Sequence, residues 1–386
     1  MNMTGWKWKT LSFCFIPILC LTSCGSSQGV KSGSERWNIS DELTYESSLE
    51  LQYATEFSVD YYTNGAALIC TADDSRFLVL PDGEEAPDDL DEDIVELTAP
   101  LSDIYLAGTA VMDMFRAMDG IDAISLSSQE ADSWYIEAAR EAMEEGKIEY
   151  AGKYSAPDYE KILSSGCRLT IESTMIEHTP EVEEELINLG VPVLVDYSSY
   201  EDHPLGRSEW VKLYGTLIGH EEEAKAAFDA QVAAMDSVAG DEPTGKTVAF
   251  FYITTNGAVN VRKTQDYVPK MIEIAGGTYI FPDLGDDSAS TSMNMQMEEF
   301  YAGAKDADYL VYNSTIEGEL NSLEDLLDLS GVLADFKAVQ EGNVWCMGQN
   351  MYQDSMETGT VIQDFHTMLT VEDATDDDFT YLYKLE

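Results

Sequence analysis

The side chains best suited to binding chemistry fall in polar stretches that directly follow apolar runs. One set comprises Tyr105, Trp134, Tyr135, Ser173, Thr174, Met175, Tyr197, Ser198 and Tyr200; a second comprises Thr254, Thr255, Asn256, Asn313, Gln349, Asn350, Met351 and Tyr352. Aromatic faces mixed with hydroxyls and amides suit a large, partly apolar ligand better than a bare ion. The competing reading for any one of these aromatics is that it packs beneath its loop. Arg262 and Lys263 are a separate case, because they are adjacent cations in a chain with 21 Lys+Arg against 73 Asp+Glu. In a cleft they would neutralise an anionic ligand group that the rest of the surface repels. On the surface, Arg262 would simply pair with Asp266.

Catalytic patterns are missing. Gly240-Asp241-Glu242-Pro243-Thr244-Gly245-Lys246-Thr247 satisfies the letters of a phosphate-binding loop. Such a loop needs a strand before its glycines and a helix after them, so that N–H groups point at phosphate. The order in this chain is reversed, with a helical stretch before and the β-rich TVAFFYI after. There is no C-x-x-C or H-E-x-x-H pattern and no G-x-S-x-G elbow between a strand and a helix. The four histidines, His178, His203, His220 and His366, are too scattered to declare a metal site. His178 and His203 follow predicted strands, where either contact with a metal or haem or an ordinary loop position is open to them. No catalytic residue, resident cofactor or protein-bound metal is expected.

The formal net charge is −52, and a surface this acidic repels phosphate backbones, which excludes nucleic acid as a partner. Apolar residues still make up 44% of the 386 residues, enough to bury cores in two or three lobes. At the start of the chain, Lys7 and Lys9 precede the apolar run LSFCFIPILCL (residues 11–21), too short to span a bilayer stably. This reads as an export signal over residues 1–23. Leu21-Thr22-Ser23-Cys24-Gly25 resembles the lipobox of bacterial lipoproteins, which implies acylation of Cys24 and anchoring to the membrane through that lipid. An uncleaved N-terminal anchor with an incidental Cys is the competing reading. Residues 24–50, with SSQGVKSGS at 26–34, read as a flexible tether. Cys70, Cys167 and Cys346 are then left, odd in number and far apart, so no disulfide framework is implied.

Beyond the tether, small strands are expected at 57–62, 66–71 and 77–80, separated by Asn-Gly and Asp-Asp turns. Residues 82–93 hold eight acids and read as a solvated loop, with calcium capture as a minor alternative lacking EF-hand spacing. A βα rhythm follows: strand 94–97 and helix 104–118, strand 124–126 and helix 132–145, strand 169–171 and helix 180–189, then strand 191–195. Helical stripes cover 207–218 and 221–238, the latter long enough to bridge two lobes. A second series runs strand 247–253, helix 267–275, strand 278–281, helix 298–305, strand 309–312, helix 322–327, strand 343–347 and helix 358–369. Strands alternating with helices of 10 to 15 residues predict an α/β fold with largely parallel sheets.

Several segments together resemble the substrate-binding lipoproteins of ABC importers for iron complexes, siderophores and cobalamin. Pro157-Asp158-Tyr159-Glu160-Lys161-Ile162-Leu163 followed by Cys167-Arg168-Leu169-Thr170-Ile171 is similar to one family block, and Gly190-Val191-Pro192-Val193 to the "GIPV" strand. Leu205-Gly206-Arg207, Gly215 to Gly219 and Glu221 to Ala224 resemble the helix pair before the linker. Ala275-Gly276-Gly277, Met297-Glu298-Glu299, Asp306-Ala307-Asp308-Tyr309-Leu310-Val311 and Gly342-Asn343-Val344-Trp345 resemble second-lobe blocks in the same order. The likeness covers roughly residues 95–370. Cys167-Arg168 replaces the usual Pro-Asp, and the strands before residue 94 exceed what the type requires.

The resemblance implies two Rossmann-like α/β lobes joined by a single long α-helix, the type III periplasmic-binding-protein fold. Its boundaries would be a first lobe at 51–219, a linker helix at 220–240 and a second lobe at 241–386. It implies a monomeric, non-enzymatic, extracytoplasmic receptor that captures an iron chelate, haem or corrinoid and hands it to an ABC permease and its ATPase. Tyr105, Trp134, Tyr135, Thr174, Met175, Tyr197, Tyr200, Asn256, Arg262, Lys263, Met351 and Tyr352 are the expected ligand contacts. Each lobe of such a receptor presents a glutamate to the permease; Glu298 matches in the second lobe, and Glu181, Glu183 and Glu184 are the candidates in the first. The rivals are a receptor for a free metal ion, a lipid-anchored surface hydrolase and a structural adhesin.

Overall fold

The computed structural model describes residues 38–240, 242–285, 291–372 and 374–386. The expected signal, Cys24 and the first part of the tether lie outside the described residues. The first sheet orders its strands β1 (Tyr45–Ser48), β2 (Phe57–Tyr62), β3 (Ala67–Thr71), β4 (Arg76–Leu80) and β5 (Ile94–Thr98). Neighbours are antiparallel except β4 and β5, which run parallel. The Asn64-Gly65 turn joins β2 to β3: Gly65 takes a φ of 81°, which only a glycine adopts without strain, and Asn64 accepts the Ala66 N–H at 3.0 Å.

Alternation along these strands gives the sheet two covered faces. Phe57, Val59, Ile69, Phe77 and Val79 join the main core, where the Phe57 ring lies 4.9 Å from that of Trp210. Tyr62, Leu68, Leu78 and Leu80 form a smaller cluster with Ile39 and Leu43. Burial of Ile39 and Leu43 and the pairing of β1 replace the flexible tether expected up to residue 50 with packed structure from residue 39 on.

The second sheet is wholly parallel, ordered β12-β11-β6-β7-β8, with β6 (Ile104–Leu106), β7 (Ile124–Ser127), β8 (Glu149–Tyr150), β11 (Leu169–Ser173) and β12 (Val193–Asp196). A two-residue ribbon, β9 (Gly152–Lys153) with β10 (Ala156–Pro157), flanks it. Its helices are α1 (Val111–Ala117), α2 (Glu137–Glu144), α3 (Tyr159–Ser164) and α4 (Pro180–Asn188). One expectation fails at its start. Residues 94–97 pair with β4 rather than opening the βα rhythm, and residues 104–106 are a central strand rather than the first turn of a helix. A short, continuously apolar run carries no period, and here both flanking strands and both faces bury it.

Two helices, α5 (Pro204–Glu209) and α6 (Val211–Ile218), replace the single one expected at 207–218, and lead into α7 (Glu221–Asp236). α7 has 16 residues, about 24 Å at 1.5 Å each. The third sheet follows, ordered β16-β14-β13-β17-β18-β19, with β15 also on β13. Its strands are β13 (Thr247–Ile253), β14 (Val259–Arg262), β15 (Thr278–Tyr279), β16 (Ser292–Met295), β17 (Tyr309–Asn313), β18 (Val344–Met347) and β19 (Leu382–Lys384). β15, β13, β17 and β18 pair in parallel, whereas β14, β16 and β19 are antiparallel additions. Its helices are α8 (Tyr267–Ile274), α9 (Met297–Ala304), α10 (Ser314–Glu317), α11 (Leu323–Leu329), α12 (Lys337–Glu341) and α13 (Thr358–Thr370). The described chain is therefore α/β, with two parallel-cored sheets on either side of α7 in sequence. No helix among the described residues is long and apolar enough to cross a membrane.

Candidate functional site

Strand ends aim the polar loops of both halves at one cavity of about 630 Å³, lined by Thr174, Ser199, Tyr200, Glu201, Asp202, Arg207, Arg262, Gln265, Asp266, Tyr267 and Thr291. The first six follow β11 and β12 or lie on α5; the others follow β14, open α8 or precede β16. Thr174 and residues 199–202 stand outside the carboxyl ends of parallel strands, where open α/β sheets bind ligands, whereas Arg262 and Thr291 stand at the ends of the antiparallel β14 and β16, beside the amino half of β13.

Each loop is held by a buried acid. At the end of β12, Asp196 accepts the Ser198 N–H and hydroxyl and the Tyr214 hydroxyl, at 3.1, 2.5 and 2.5 Å. Burial pushes this carboxyl up, while these bonds and Arg207 pull it down. The resulting turn presents Tyr200 at 41% exposure. Next to it, Glu201 accepts the Trp210 indole N–H at 2.8 Å and the backbone N–H groups of Thr55 and Glu56 at 2.7 and 3.1 Å. Glu209 accepts those of Gln52, Tyr53 and Ala54, together with the Lys212 ammonium at 2.6 Å. Residues 52–56 thereby run as a strap tied to the wall of the cavity. On the opposite wall, Asp266 caps α8 by accepting the Val268 N–H at 2.9 Å and lies 3.6 Å from the Arg262 guanidinium.

The two halves meet directly beside the cavity. The Arg207 guanidinium lies 4.1 Å from the Tyr267 ring centroid, and Lys270 donates to the Asp202 carbonyl. A second seam is built around Gln353, whose carboxamide accepts the Tyr135 N–H at 2.8 Å and donates to the Ser133 carbonyl at 2.9 Å. Asp113 on α1 accepts the Met356 N–H at 2.7 Å, and the Ser208 hydroxyl donates to the Ser355 carbonyl at 2.8 Å.

Of the residues singled out from sequence, Thr174, Tyr200 and Arg262 line the cavity. Arg262 both borders the cavity and lies 3.6 Å from Asp266. Met175 is exposed on the turn after Thr174. Tyr135 and Tyr352 meet edge to face across the seam, ring centroids 6.1 Å apart. Met351 is buried beneath Tyr267, whose hydroxyl lies 3.9 Å from its sulfur. Trp134 and Tyr197 are also largely buried. None of these six lines the cavity, and neither do the remaining three expected contacts, Tyr105, Lys263 and Asn256. Tyr105 is fully buried in β6 and donates to the Gly152 carbonyl at 3.0 Å. Lys263 is 4% exposed, because consecutive residues leaving a strand point to opposite faces. Asn256 serves the β13–β14 turn, its side-chain oxygen accepting from Thr254 and from the Ala258 N–H. His203 caps α5 by accepting the Leu205 N–H at 3.1 Å and stacks on Tyr53 at 4.2 Å; burial and Lys270 push its pKa down. Among the described residues no three His, Cys, Asp or Glu side chains converge as a metal-binding group.

Sequence reasoning missed Arg207, Gln265 and Tyr267. Arg207 carried a usable signal, since any cation near a strand end stands out in so acidic a chain. Tyr267 had none, because the first residue of an amphipathic helix carries no mark of what lies opposite.

Solved structures with this arrangement include the periplasmic haem-binding protein HutB of Vibrio cholerae, 17% identical with a TM-score of 0.54 over 69% of this chain and 98% of that one. The periplasmic vitamin B12-binding protein BtuF of Vibrio cholerae is 16% identical, with a TM-score of 0.51 over 72% and 100%. An ABC-type Fe3+-hydroxamate transport protein of Saccharomonospora viridis is 16% identical, with a TM-score of 0.54 over 71% and 94%. The fold is that of two-lobed, type III periplasmic binding proteins. Two uncharacterised lipoproteins of Methanocaldococcus jannaschii are each 25% identical, over 92% and 87% of this chain and the same shares of their own. No protein-family model matches the chain.

Proposed function

We propose that this protein is the extracytoplasmic solute-binding component of an ABC importer, capturing an iron chelate, haem or corrinoid and delivering it to a permease. The observation that carries the reading is the cavity walled jointly by loops from both sides of α7. A single-lobed enzyme or an adhesin has no need of a site divided in this way. Proteins named for haem, vitamin B12 and Fe3+-hydroxamate share the fold, and relatives of matching length are named lipoproteins. The lipobox-like Leu21-Thr22-Ser23-Cys24 fits the same reading, with the domain tethered outside the membrane through lipid on Cys24. The lobes are taken as residues 51–219, extended by β1 and the packed residues from 39 on, and 241–386, with the strap and first sheet belonging to the first. Glu298 and one of Glu181, Glu183 and Glu184 are taken as the permease contacts.

Trp210 supplies a natural reporter, because it donates to Glu201 in the cavity wall. Titrating the protein with a panel of ferric siderophores, haem and cobalamin should quench tryptophan fluorescence saturably for one chemical class. A flat response to the whole panel refutes the reading.

A further inference from the structure

The cavity wall contains three acids and two arginines; two of the acids are held by hydrogen bonds, and Asp202 is almost fully exposed. Glu201 accepts from Trp210, Thr55 and Glu56, Asp266 caps α8, and Asp202 lies 3.5 Å from the Lys270 ammonium. The arginines are engaged far less. Arg207 rests flat against Tyr267; among the described residues it makes no ion pair within 4 Å, its charge acting on the buried Asp196 from farther off. Arg262 has one carboxylate contact, a loose one at 3.6 Å. A guanidinium remains charged at any physiological pH and presents donors in a planar fork that fits a carboxylate. Two such forks, one from each half, therefore face one cavity in a chain whose net charge is −52.

On the reading of the cavity as a solute site, we propose that the solute bears carboxylate groups and is gripped between Arg207 and Arg262. This is a carboxylate-bearing iron chelate or a propionate-bearing porphyrin, rather than a neutral hydroxamate complex or a corrinoid. Because one arginine comes from each side of α7, a bound carboxylate also joins the two walls. Tyr267 beneath Arg207 keeps the fork flat and offers an aromatic face to the rest of the solute.

Isothermal titration of the whole mature chain with ferric citrate, haemin, ferrichrome and cyanocobalamin tests this, with Arg207→Gln and Arg262→Gln measured alongside. Ferric citrate or haemin should bind wild type, and each substitution should weaken that probe at least tenfold, with the melting temperature of each variant recorded as a folding control. Binding of ferric citrate alone assigns a hydroxycarboxylate chelate, and binding of haemin alone assigns the propionates. Tight binding of ferrichrome or cyanocobalamin without either anionic probe overturns the carboxylate assignment while leaving the solute-binding reading intact. An anionic probe held equally well by folded variants removes the arginine grip. If no probe binds wild type, both readings fall. Should Arg207→Gln not fold, Arg262→Gln and the wild-type selectivity decide.

Discussion

Glu172 is a buried acid in the first parallel sheet. It is fully buried near the end of β11, and neither carboxylate oxygen has a hydrogen-bond partner among the described residues. Burial, with Glu183 adding repulsion, pushes its pKa from 4.5 up to about 8. The folded protein therefore holds this proton more tightly than the unfolded chain does. Its penalty is absent below the unfolded value, grows as pH rises towards 8 and is constant above that, at up to roughly 1.4 kcal/mol per pH unit within the window. Glu172→Gln should reduce the loss of stability between pH 5 and 8 by about 2 to 4 kcal/mol, read from urea unfolding at both pH values. An unchanged pH dependence would show that the carboxyl is not held protonated. Sequence gave no hint of this, because a strand ending in Thr-Ile-Glu-Ser looks like one whose polar end meets solvent. The same limit applies to Tyr105 and Asn256, whose types suit a ligand but whose burial and turn geometry are set by distant neighbours.

Among the elements, the crossing of α7 and α13 holds the halves in register. A Cβ on Gly359 would lie 2.5 Å from the Gln231 carbonyl oxygen and 2.8 Å from the Ala234 Cβ, and the Gly359 N–H donates to the Gln231 side chain at 2.9 Å. Backbone cannot yield as a flexible side-chain tip can, so Gly359→Ala should cost about 1 to 3 kcal/mol in denaturant unfolding. No loss of stability would mean that the two helices are free to separate. Long periodic elements were legible from sequence: β2, β13 and α13 lie within a residue of expectation. The strands β14, β16 and β19 were not, since short antiparallel additions owe their extension to a partner strand rather than to their own pattern.

For the molecule as a whole, function as a receptor requires an outer face for the permease as well as an inner face for the solute. Glu181 and Glu184 are exposed in the first turns of α4, and Glu298 in the first turn of α9. A helix N-terminus favours a carboxylate for structural reasons alone, so exposure does not assign a role. The discriminating experiment is Glu298→Lys: solute affinity should be unchanged in vitro, whereas uptake in cells should be lost. Normal uptake would remove Glu298 from the docking face. The five-stranded first sheet and the strap at 52–56 also act at this scale. They bind the N-terminal segment to Glu201 and Glu209, and so tie the wall of the cavity to a layer of structure that the resemblance did not require.

By itself the sequence determined the α/β class, the two series of strands and helices on either side of a long helix, and the strong acidity of the chain. These follow from periodicity, composition and net charge, which are properties of neighbouring residues or of the whole chain summed. Only the tertiary structure decided which aromatics reach the cavity, that Arg207 and Arg262 line the same cavity, and that Gln353 bonds to Ser133 and Tyr135 across the other seam. Those contacts join residues more than fifty positions apart, and no local pattern records which loops the packing of α7 and α13 brings face to face.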